Sequence, residues 1–142
     1  MKKEVLVFVA VVFSLACTKE AVPVDIANVC AAGNEKRYIS TTGYLDDRGS
    51  IFCSNIGSGR MNCGMDVVES PGGKKVFSAD IEQGSGADEI EKLASGYKKE
   101  DIKIHDDKGA VMNLSDKVKL TGQMSITPDG SVCFMTVDKI ER

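Results

Sequence analysis

The chain has 142 residues, 18 basic and 21 acidic, for a net charge of −3. Setting aside the leader at residues 1–16 leaves 126 residues and a net charge of −4, enough for one compact domain and too few for two ordinary ones. An acidic domain gains nothing from the phosphate attraction that dominates nucleic-acid binding and offers anionic lipids no polybasic patch, so nucleic acid is excluded as a partner.

The leader comes first in chain order. Lys2 and Lys3 precede an apolar run at residues 5–16, which ends in Ser14, Leu15 and Ala16 before Cys17. A basic start, about a dozen apolar residues and a small residue before the cut make a secretory signal peptide. The run is shorter than the roughly 20 residues that span a bilayer. Leu15-Ala16-Cys17 resembles the lipid-attachment signal of bacterial lipoproteins, in which the cysteine after the cut carries the lipid. Ser14 departs from the aliphatic residue usual in that family. It also satisfies the small-x-small rule of ordinary secretion, so a released protein is the alternative. The expectation is a bacterial envelope protein, anchored to the membrane through Cys17 and facing the periplasm or the cell surface. Residues 17–25 would be the lipidated cysteine and a tether, and residues 26–142 the folded domain.

Asp25 is placed to cap a short helix at residues 26–32 that ends at Gly33-Asn34. Strand signals follow. Residues 37–45 are rich in Tyr, Ile and Thr and stop at the turn Asp46-Asp47-Arg48-Gly49. A short extended piece at 51–54 leads into a glycine-rich loop. Met61, Cys63, Met65 and Val67 then alternate with polar residues, as do Phe77, Ala79 and Ile81, which is the period of a half-buried strand. Ile90, Leu93, Ala94 and Tyr97 fall on one face of a helix, with Asp88 and Glu89 in its first turn. Val118, Leu120, Gly122, Met124 and Ile126 make the next inward set. The turn Thr127-Pro128-Asp129-Gly130 leads to a last strand at 132–140.

An all-β chain with one or two short helices, and a helix between the third and fourth strands, has the order of a five-stranded OB-like Greek-key barrel. Gly43 and Gly122 inside strands fit the bends such a barrel requires. Gly43-Tyr44-Leu45, Cys53, Cys63, Gly84-Ser85-Gly86 and the run from Lys117 to Gly122 together resemble the OB-fold domain of small exported bacterial lipoproteins, the tRNA-anti-like group. That resemblance implies a fold; it implies no agreed activity.

Four cysteines remain once Cys17 is assigned to lipid: Cys30, Cys53, Cys63 and Cys133. In an exported domain they read as two disulfides, with three possible pairings. Proximity favours Cys53–Cys63, leaving Cys30–Cys133 to tie the ends of the domain.

No catalytic constellation, metal site or cofactor motif emerges. His105 is the only histidine and sits beside Asp106-Asp107-Lys108-Gly109, a turn sequence. The paired aspartates lack calcium-loop spacing. Gly84-Ser85-Gly86 precedes acidic residues that would repel a phosphate. If Ile39, Thr41, Gly43 and Leu45 face inward, Tyr44 faces out. OB-folds bind along strands two and three and the loops joining strands 1–2 and 4–5. On this chain that surface corresponds to Tyr44, Arg48, Arg60, Asn62 and Asp129. The expected function is a non-enzymatic binding module for an envelope or host protein or a glycan. The rivals are a structural or assembly subunit of an envelope complex and a carboxylate hydrolase built on His105, Asp106 and Asp107.

Overall fold

A computed structural model describes residues 19–55 and 59–142. Residues 1–18, which carry the expected signal peptide and Cys17, and residues 56–58 lie outside the described residues.

Among the described residues nine strands run in chain order: β1 (Val22–Pro23), β2 (Tyr38–Asp46), β3 (Phe52–Ser54), β4 (Asn62–Val68), β5 (Lys75–Glu82), β6 (Ile104–His105), β7 (Val111–Met112), β8 (Val118–Ile126) and β9 (Cys133–Glu141). Five of them close a barrel in the order β2-β8-β9-β5-β4 and back to β2. All neighbouring pairs are antiparallel except β5 and β9, which run parallel. This is the Greek-key closure of an OB-like barrel. Alternation along each strand sends one face inward: Ile39 and Leu45 from β2, Met65 and Val67 from β4, Phe77 and Ile81 from β5, Leu120 and Met124 from β8, and Met135 and Ile140 from β9 are all buried. Burying each such side chain contributes roughly 1.5–3 kcal/mol. Met61, which the sequence pattern places in the core, is 39% exposed.

The interior glycines mark close approaches. A Cβ on Gly122 would lie 2.0 Å from the Thr136 carbonyl oxygen, beside the irregularity that bends β8 against β9. A Cβ on Gly43 would meet the Ile26 side chain at 2.8 Å.

Three sequence expectations are corrected. First, no helix occupies residues 88–97. Asp88 is left-handed at φ 62°, so the first turn cannot form, and its carboxylate accepts the Ile140 N–H at 2.6 Å. Ile90 is extended and fully buried: its N–H donates to the Glu82 carbonyl, while Glu91 N–H donates to that of Lys103. A helix of that length is marginal by itself, and neighbouring strand backbone offers its amides better partners. A single 3-10 turn, Lys99–Asp101, follows the segment. Ile90, Ile102, Ile104 and Met112 still join the core cluster. Second, residues 26–32 form no continuous helix. Asp25 does cap, accepting the Ala27 N–H, but the chain makes two 3-10 turns, Ile26–Asn28 and Ala32–Asn34. Third, the tether stops short of residue 25. Val22 and Pro23 pair with Ile39 and Ser40 as an edge strand, a place where proline's missing N–H does no harm.

Both disulfides pair as proximity suggested. Cys53 and Cys63 face each other across β3 and β4, and Cys30–Cys133 ties the 3-10 segment to the start of β9.

Candidate functional site

Alternation places Asn62, Gly64 and Asp66 of β4 and Ser78, Asp80 and Glu82 of β5 on the outer face of the barrel. Register lines them into rows. Ser54, Asn62 and Glu82 form one; Phe52, Gly64, Asp80 and Thr136 the next; Asp66, Ser78 and Phe134 the third. Two depressions cover this face. One of about 280 Å³ lies over β3, β4 and β5, and one of about 530 Å³ lies between β5 and the β8–β9 loop. They share Lys75, Ser78 and Asp80, so they form one groove.

The walls of the groove are apolar and its floor is small and polar. Phe52 is 74% exposed on one side; Val132, 45% exposed, and Phe134 stand on the other. Gly64 leaves the floor open between Phe52 and Asp80; a Cβ there would come within 3.5 Å of the Asp80 carboxylate.

The charges divide unevenly. Asp66 holds Lys75 at 2.9 Å and Arg48 at 3.6 Å, and Glu82 holds Arg60 at 2.7 Å. Asp80 has no hydrogen-bond or ion-pair partner among the described residues, and partial burial pushes its carboxyl above the usual range.

The residues read from the sequence fall around this groove in different ways. Asn62 lines it. Arg48 adopts φ 46° in the turn after β2, donates to the Gly73 carbonyl at 2.6 Å and braces Asp66. Arg60 braces Glu82. Asp129 shapes the β8–β9 loop: Thr127 and Ser131 donate to its carboxylate, which brings its pKa down to about 2. Tyr44 faces outward as expected, but it pairs with Val68 and lies off the groove. Sequence reasoning passed over Asp80, Ser78, Phe52 and Phe134. The alternation that marked Phe77, Ala79 and Ile81 as inward was the available signal, because it turns Ser78 and Asp80 outward.

The other motifs are occupied by the chain itself. His105 Nδ1 lies 3.0 Å from the Gly109 carbonyl and Nε2 3.0 Å from Glu91, and these bonds raise its pKa. Asp106 accepts the Lys108 and Ala110 N–H groups and pairs with Arg142 at 2.7 Å, which lowers its pKa. Asp107 pairs with Lys139 at 3.4 Å. In the loop at residues 84–86 the Glu89 carboxylate takes the Gly86 N–H that an anion would need.

No protein-family model, curated protein or solved structure matches this chain. The functional reading therefore rests on the barrel, its disulfides and the groove.

Proposed function

We propose that the chain is a lipid-anchored, non-enzymatic binding module of a bacterial envelope, of the kind found in exported OB-fold lipoproteins, and that it holds a protein or glycan ligand on the outer face of β4 and β5. The observation that carries this reading is the groove. It lies along the second and third barrel strands and is flanked by the 1–2 and 4–5 loops, where OB-folds bind. The exposed ring of Phe52, the half-buried ring of Phe134 and small hydroxyls on a rigid sheet suit reversible recognition. The disulfides stiffen both borders: Cys53–Cys63 holds β3, and Cys30–Cys133 holds the start of β9. Leu15-Ala16-Cys17 supplies the anchor in this reading.

Photo-crosslinking in intact cells tests it. A photoreactive residue at Ser54 or Ser78 should capture a discrete ligand, and one at Thr42 on β2 should not. The mature N-terminus from the same cells should carry diacylglycerol on Cys17. Equal capture from Thr42 would contradict the site, and an unmodified Cys17 would contradict the anchor.

A further inference from the structure

We propose that the groove takes a lysine or arginine side chain presented by an extended segment of a partner polypeptide. This rests on reading the β4–β5 face as a ligand site and names that ligand's chemistry.

The first argument is charge. Among the described residues the other charged groups on this face are matched: Lys75 pairs with Asp66, Arg48 with Asp66 and Asp46, and Arg60 with Glu82. Asp80 is left with a carboxylate that has lost part of its water and gained no counter-ion among the described residues. An incoming cation supplies the counter-ion, and the pair forms in a partly desolvated setting where it is stronger than on an open surface. An anion or an acidic glycan would meet repulsion at the same place.

The second argument is shape. Gly64 removes the side chain that would otherwise separate Phe52 from Asp80 along their row. A lysine or arginine carries its charge on an apolar stem, and that stem can lie over Gly64 while the head reaches Asp80. The rings of Phe52 and Phe134 offer apolar contact to the stem and a π face to the cation. A neutral glycan would meet the side chains of Ser54, Asn62 and Ser78 but would leave the Asp80 charge without a counter-ion.

The third argument selects a polypeptide. β3 is the last strand of its sheet, and among the described residues no strand pairs with its outer edge. An extended peptide can add its backbone there and send alternate side chains into the groove beside Phe52.

The test is a random octapeptide display library selected on the purified, oxidised protein. Selected peptides are then synthesised and measured against the wild type, Asp80→Asn and Phe52→Ser. Selected sequences should carry lysine or arginine beside an apolar residue. Replacing that residue by norleucine or citrulline should weaken binding at least tenfold, as should Asp80→Asn. The asparagine variant keeps the shape and drops an uncompensated charge, so its thermal midpoint should not fall. Peptides that lose binding in Phe52→Ser but are indifferent to Asp80→Asn would overturn the cationic ligand and leave the groove as a ligand site. Selection of no peptide, together with chitosan oligomers binding in an Asp80-dependent way, would overturn the polypeptide and assign the groove to an aminated glycan. Selection of no peptide and no chitosan binding would overturn this inference as well, and photo-crosslinking from Ser78 would then decide separately whether the groove binds anything.

Discussion

Removing the Cys30–Cys133 bridge should cost more stability than removing Cys53–Cys63, when both cysteines of each pair become alanine. A cross-link stabilises mainly by denying conformations to the unfolded chain, and the loss grows with the logarithm of the loop it closes. The two sequence separations are 103 and 10 residues. On the chain-entropy relation these give about 4.7 and about 2.7 kcal/mol at 25 °C. Cys63 is fully buried, so alanine there adds up to about 1 kcal/mol for lost packing and narrows the difference. The expected gap is therefore about 1–2 kcal/mol. With a urea dependence of about 2 kcal/mol per molar, the midpoints of the two variants should differ by roughly 0.5–1 M. Urea unfolding followed by circular dichroism on both variants measures this. A Cys53/Cys63 variant with the lower midpoint would refute the reasoning, because short-loop strain or native packing would then outweigh the long-loop entropy.

Gly122→Ala should destabilise by about 3 kcal/mol, because the new methyl meets backbone that cannot swing aside, whereas Gly64→Ala, with its nearest atom at 3.5 Å, should change the thermal midpoint little. Thr41→Val should raise stability by about 1 kcal/mol in chemical denaturation, since the Thr41 hydroxyl is buried in the barrel without a hydrogen-bond partner among the described residues. His105 should make stability pH-dependent. Its folded-state pKa is raised by the Gly109 carbonyl and Glu91, so its contribution is complete below its ordinary value of about 6.5 and is lost as pH rises through the raised value. Thermal midpoints of the wild type should decline above about pH 6.5, and His105→Gln should flatten that slope.

The barrel was legible because its strands are half-buried. Met65 and Val67, Phe77 and Ile81, and Leu120 and Met124 alternate with polar residues, and period two has few other readings. The disulfide pairing followed once β3 and β4 were neighbours. The segment at 88–97 misled for the opposite reason. Its apolar spacing satisfies a helix, but the Ile90 N–H donates to the Glu82 carbonyl and the Ile90 carbonyl accepts from the Gly84 N–H, partners outside the local pattern. The groove was only half visible. Arg48, Arg60 and Asn62 stood out as charged or polar residues near the expected loops, and they serve mainly as braces and border. Nothing in the local sequence singles out Asp80. Its isolation depends on Lys75 turning to Asp66, and its exposure to Phe52 depends on Gly64 lying between them in the register. Neither relation exists along the chain.

The most direct test of the groove uses the ligand captured in cells and a single obstruction. Ser78 is small, faces outward and borders both depressions, so Ser78→Trp fills the floor without touching the core. The affinity of the captured ligand should fall at least a hundredfold for Ser78→Trp, with the thermal midpoint unchanged. Wild-type affinity in that variant would place the ligand elsewhere on the molecule and contradict the account.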